Sequence, residues 1–174
     1  MKLVRTEEQI TLQDAFRDLF TNECSTELVR SLQDDPQMAT IERLWTSLAR
    51  TGFFGLPLPE DLGGEGAEFF DLGLAVMEAG RVLCPTPVYS TVAFGFAVRE
   101  LASAEQKHVL LPSLARGEVV ATVAINNPSD ASDVRPRLRA TRVDGSWYID
   151  GTLEFVANAD LSDQMLVSAV VDDR

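Results

Sequence analysis

An α+β chain, with helices first and sheet second, is what the sequence predicts, and three observations carry that reading. Up to about residue 117, apolar residues recur at the spacing of an amphipathic helix. Beyond Gly117 the apolar runs become short and β-branched and are separated by turn residues. The two patterns also do not alternate, which argues against βαβ units and a parallel sheet. The expected boundary lies near Gly117, between a helical domain 1–117 and a strand domain 118–174.

The first helix is announced by Thr6-Glu7-Glu8-Gln9, a capping box in which the Thr hydroxyl and the Gln amide satisfy free backbone donors. Leu12, Ala15, Phe16 and Leu19 then fall on one face. A second, shorter helix is expected over Ser25 to Leu32. Ile41, Leu44, Trp45 and Leu48 define a third, closed by Gly52 in a left-handed conformation. Pro57, Pro59, Gly63, Gly64 and Gly66 impose an irregular loop after the apolar run Phe53 to Leu58. A fourth helix is expected to begin near Asp71 and to bury Leu72, Ala75, Val76 and Ala79. Pro85 and Pro87 stop it, so the next is expected near Tyr89, with Val92, Phe96 and Arg99 in helical register. Ser103-Ala104-Glu105-Gln106 is another capping box, ahead of Val109, Leu110 and Leu114, and Gly117 is the expected C-cap. Five strands are expected: Val119 to Ile125, Arg137 to Val143, Trp147 to Asp150, Leu153 to Ala157 and Met165 to Val171, with Asp144-Gly145 as a hairpin turn.

Composition narrows the function. Fifteen basic against 27 acidic side chains give a net charge of −12, which repels nucleic-acid phosphates and anionic membrane surfaces. The apolar runs are too short to span a bilayer and the N-terminus is too polar for a secretory signal, so a soluble, cytoplasmic protein is expected. His108 is the single histidine, which leaves little material for a zinc site or a Ser-His-Asp triad, and no metal site is predicted. Cys24 and Cys84 show no ligand spacing and read as ordinary thiols. The Gly63-Gly64-x-Gly66 run lacks the strand and the Lys-Ser/Thr ending of a phosphate loop. Phe155, read by alternation alone, is a core position.

The most specific signal is a series of motifs in register. Leu44 to Gly52 leads into Leu58-Pro59-Glu60-Asp61-Leu62-Gly63-Gly64. Glu78-Ala79-Gly80-Arg81, Ser103 to Lys107 and Leu111 to Glu118 follow, and then Trp147 to Gly151 and Phe155 to Ala159. From about residue 5 onward the chain resembles the acyl-CoA dehydrogenases. That resemblance implies an N-terminal helical domain followed by part of an antiparallel β-barrel domain. The family's C-terminal helices, which carry the catalytic carboxylate, are not matched, so no catalytic residue is assigned.

The resemblance further implies FAD as cofactor and an acyl-CoA or related acyl thioester as substrate. It implies as partners a homo- or hetero-oligomer with another subunit of the same type, and an electron-transfer flavoprotein. Asn126-Asn127-Pro128 and Ala131-Ser132-Asp133 match the family's first flavin loop, and Gly151 to Asn158 matches its second. By that match Ile125, Asn126, Ser132, Phe155 and Ala157 are the expected flavin contacts, and Ser132 also lies near the thioester. Ala131 stands where the family has Gly, Leu153 where it has Lys, and Ala157 where it has a hydroxyl. These departures predict weak or absent FAD binding in the isolated chain. They leave three readings open: a catalytic component, a non-catalytic subunit that builds pocket or interface, and a domain that only binds a partner through its sheet edge.

Overall fold

The computed structural model describes residues 4–125, 130, 133 and 135–171. Six helices come first: α1 (Glu7–Glu23), α2 (Thr26–Asp34), α3 (Glu42–Arg50), α4 (Phe69–Arg81), α5 (Thr86–Leu101) and α6 (Ala104–Ala115). Five strands follow: β1 (Ala121–Ala124), β2 (Leu138–Val143), β3 (Ser146–Asp150), β4 (Gln164–Val167) and β5 (Ala169–Val171). The α+β order expected from the sequence is therefore the order observed. Both capping boxes form, Thr6 with Gln9 and Ser103 with Gln106. Gly52 and Gly117 take left-handed angles of φ 72° and 66° just past α3 and α6.

The helical half is organised around aromatic rings. Phe53 meets Phe16 and Phe20 edge-on at 5.5 and 5.8 Å, and Phe54 lies 4.3 Å from Trp45. The Trp45 indole N–H donates to the Gly117 carbonyl at 2.8 Å, which satisfies the polar edge of a buried ring and ties α3 to the start of the sheet segment. A second apolar cluster of Leu58, Leu62, Phe94, Val98, Leu111 and Leu114 includes Ala121 of β1, so α5 and α6 are the platform on which the strands rest.

Several expectations are corrected in detail. On α1 the buried face is Gln13, Phe16 and Phe20, while Ala15 is exposed and Leu12 and Leu19 are partly buried. The face turns toward Gln13 because its amide donates to Glu78 Oε1 across the α1–α4 interface. Glu78 is itself 1% exposed and takes Arg17 Nη2 at 3.0 Å and Arg81 Nε at 3.2 Å. These partners, Arg17 foremost, hold its carboxyl below the usual carboxylate range. Helix α5 starts at Thr86, not near Tyr89, because Pro87 sits in the first turn, where a missing N–H removes no helical bond. On α6 the expected Leu114 is fully buried, but its companion is Leu111 and not the expected Leu110, which is only partly buried, while Val109 is exposed.

In the sheet segment β2 and β3 form the expected antiparallel hairpin, with Arg139 opposite Asp150 and Val143 opposite Ser146. The stretch expected as one strand over Met165 to Val171 divides at Ser168. Its first part, β4, pairs parallel with β1, and its second, β5, pairs parallel with β2. One segment thus passes from one small sheet to the other. Leu153 to Ala157 is not a strand. Among the described residues no helix is long and apolar enough to cross a membrane, and no group of three His, Cys, Asp or Glu side chains could hold a metal ion.

Candidate active-site loop and family membership

The loop between β3 and β4 is where the expected site residues meet strained backbone. Phe155 and Asn158 have φ of 54° and 56°, the left-handed region that no continuous strand can contain. Asn tolerates that conformation because its short amide bonds locally; Phe does not. The cost of order 1–3 kcal/mol for such a residue persists only where surrounding bonds over-determine it.

Those bonds come from the helices and from β1. The Asn158 amide is held at both ends by α5: Thr86 Oγ1 donates to Asn158 Oδ1 at 2.9 Å, and Asn158 Nδ2 donates to Ser90 Oγ at 3.2 Å. Ser90 Oγ in turn donates to the Pro87 carbonyl at 3.1 Å. Thr122 of β1 donates to the Ala157 carbonyl at 2.7 Å, and Ser162 Oγ donates to the Asn158 carbonyl at 2.7 Å. On the far side of β1, Thr91 Oγ1 both donates to the Ala121 carbonyl and accepts from its N–H. The Asp163 carboxylate accepts from Val120 N at 2.9 Å, which sets β4 beside β1. The loop is therefore a braced structure, and Phe155 is the residue it presents: the ring is 91% exposed. The alternation-based reading of Phe155 as core is overturned, since the left-handed turn at 155 points the ring outward.

Of the five expected contacts, three are described. Ile125 directly follows β1 and is 51% exposed, so the chain leaves β1 with an accessible apolar side chain three residues beyond Thr122. Ala157 is exposed, offers no hydroxyl, and has its carbonyl engaged by Thr122. Asn126 and Ser132 lie outside the described residues. Leu153 lines a cavity of about 180 Å³ with Arg137, Thr152 and Glu154. As a fit to FAD, the described residues supply an aromatic face and an apolar edge, but neither the cation nor the hydroxyl of the matched motif. The bracing residues Thr86, Ser90 and Thr122 were not singled out from the sequence; of the braced pair, Asn158 entered only as a residue of the matched motif. A larger groove of about 820 Å³ runs between the N-terminal turns of α1 and α4, lined by Leu12, Phe70 and Asp71 among others, and belongs to the helical half.

Comparison with known proteins agrees with this architecture. Residues 6–118 match the model of the acyl-CoA dehydrogenase N-terminal domain. The chain is 40% identical over 126 residues to the acyl-CoA dehydrogenase FadE28 of Mycobacterium tuberculosis, covering 72% of this chain and 36% of that protein. It is 34% identical over 130 residues to the L-prolyl-[peptidyl-carrier protein] dehydrogenase of Pseudomonas fluorescens, covering 70% of this chain and 34% of that one. Among solved structures, a variant of the Tcur3481-Tcur3483 steroid ACAD superposes with a TM-score of 0.84 at 31% identity, covering 96% of this chain and 46% of that one. The chain thus spans roughly a third of those two curated relatives and matches their N-terminal portion. With the helical order, the motif series and these matches in agreement, the chain belongs to the acyl-CoA dehydrogenase family.

Proposed function

We propose that this chain supplies the helical scaffold, residues 1–117, and the first flavin-facing strands, residues 118–174, of an FAD-dependent dehydrogenase acting on an acyl thioester. The observation that carries the reading is Phe155, an aromatic side chain almost fully exposed on left-handed backbone, in a loop that four side chains brace two and three residues further on, at Ala157 and Asn158. Strain kept in place around an exposed ring is what a ligand platform requires. Bound FAD supplies the acceptor for a hydride from the acyl β-carbon. The chain's own part is to stack Phe155 against the ring system, to bound it with Ile125, Asn126 and Ala157, and to place Ser132 beside the thioester. The carboxylate that removes the α-proton lies outside residues 1–174, as the family resemblance implies. The thioester is carried by coenzyme A or by a carrier protein, the second supported by the prolyl-carrier relative. An electron-transfer flavoprotein would be the acceptor for the reduced cofactor.

The absence of a hydroxyl at Ala157, whose carbonyl is already taken by Thr122, favours a second reading: a subunit that shapes pocket or interface beside a partner of the same family holding most of the flavin contacts. Titration of the full chain with FAD, followed by flavin fluorescence, tests both. Weak saturable binding, further weakened by Phe155→Ala at unchanged Tm, is expected. Ala157→Ser adds one hydrogen bond and should tighten binding by about 1 kcal/mol, roughly fivefold. Tight stoichiometric FAD that is indifferent to Phe155→Ala would contradict the assignment of this loop.

A further inference from the structure

Cys24 caps the C-terminus of α1, and Cys84 sits in the turn between α4 and α5. Nothing in their spacing pairs them, yet the fold brings them together. Both are unbridged thiols, 3% and 4% exposed, in one apolar cluster with Phe20, Ala79 and Val88. Cys24 Sγ lies 3.8 Å from the Val82 carbonyl, in the turn that carries Cys84, and both thiols are buried in the same cluster, which sets them side by side. The neighbouring Cys84 thiol holds Cys24 below its usual range, while Cys24 and then burial push Cys84 well above it. The turn that carries Cys84 reaches the surface: Leu83, adjoining Cys84, has φ 55° and is 73% exposed. Opening one strained surface turn is a local event that admits a small oxidant without unfolding the core.

We propose that Cys24 and Cys84 form a redox-modification site, at which a hydroperoxide converts the dithiol into an intramolecular disulfide tying the end of α1 to the start of α5. The Cys24 thiolate attacks one peroxide oxygen; the O–O bond breaks and the departing hydroxide leaves as water after taking a proton, with Cys24 now a sulfenic acid. The Cys84 sulfur then attacks the Cys24 sulfur. The S–S bond forms, the S–O bond breaks, and the released hydroxide leaves with the Cys84 proton as a second water. The two sulfurs together lose two electrons and the peroxide gains them. Two residues beyond Cys84, Thr86 holds Asn158, so the disulfide fixes the helix end that braces the Phe155 loop. The modification does not depend on the flavin reading.

The test exposes the full chain, natively folded, to hydrogen peroxide, then alkylates remaining thiols in denaturant and measures intact mass and peptide maps. Loss of two hydrogens, no alkylated cysteine, a linked Cys24–Cys84 peptide and reversal by dithiothreitol are expected. Cys84→Ser should leave a sulfenic acid at Cys24 that a dimedone probe traps, and Cys24→Ser should leave Cys84 a free thiol. Both cysteines still alkylated, only intermolecular disulfides, or a link that forms only in unfolded chain would overturn the proposal; the wild-type mass decides even where a variant fails to fold. Slower amide exchange over Thr86–Ser90 in the oxidised form is expected, and unchanged exchange would overturn the tie to α5.

Discussion

Phe155 and Asn158 adopt the same left-handed backbone in different surroundings, and the difference separates a proposed ligand position from a structural one. Asn158 spends its side chain on Thr86 and Ser90, whereas Phe155 is 91% exposed. Phe155→Ala should therefore change unfolding free energy by no more than about 0.5 kcal/mol, as for other surface sites. Trp45 is the opposite case, buried against Phe54 and bonded to the Gly117 carbonyl. Trp45→Ala should cost about 3–5 kcal/mol, measured by chemical denaturation, and a variant as stable as the parent would refute the core assignment. Glu78 adds a pH dependence. Its folded pKa is depressed by Arg17, Gln13 and Arg81, so the stability it contributes is present above the carboxyl's unfolded pKa near 4.5 and is lost as pH falls through the folded value. Urea midpoints measured from neutral pH downward should fall on acidification, and Glu78→Gln should flatten that acid limb. Trp45 was legible as core from helical spacing. The buried Gln13–Glu78 bond was not, because apolar periodicity gives no weight to a polar pair that satisfies itself across two helices.

At the scale of elements, local signals worked where local chemistry decides. Capping boxes, the C-terminal glycines and the Asp144-Gly145 turn all lie at the ends where they were expected. They failed where a distant partner decides. The apolar run Leu153 to Ala157 reads as a strand, but Thr122 and the α5 hydroxyls pull it into a loop. Likewise Met165 to Val171 reads as one strand because its residues do not reveal that β1 and β2 divide it. The brace predicts that Asn158→Ala will raise amide exchange across residues 155–161 while leaving α1 to α4 unchanged. Exchange confined to position 158 would show that the hydroxyls do not hold the loop. The Pro59 to Gly66 loop is set by close approach: a Cβ on Gly64 would lie 2.2 Å from the Leu58 carbonyl oxygen. Because the obstacle is backbone, Gly64→Ala should destabilise by about 1–3 kcal/mol or more in thermal unfolding.

For the whole molecule, the helical half is a scaffold with its own aromatic core, and the sheet segment is the part that offers surface. Trp147, Tyr148 and Ile149 of β3 are all more than half exposed, and β3 lies at the edge of its sheet, where its outer backbone groups have no strand partner among the described residues. Isolated residues 1–174 should therefore self-associate, seen as scattering mass that rises with concentration; a concentration-independent monomer would refute the open-edge argument. The family was legible in the sequence because its motifs are local and ordered. The presentation of Phe155 was not, since it depends on bonds from α5 and β1 to a loop far along the chain. The central claim, that this braced loop is the chain's flavin-facing surface, is tested most directly by backbone NMR of the full chain titrated with FAD. Shifts concentrated at Ile125 and at Phe155 to Asn158 are predicted; shifts confined to the groove between α1 and α4, or none at the loop under saturating FAD, would contradict it.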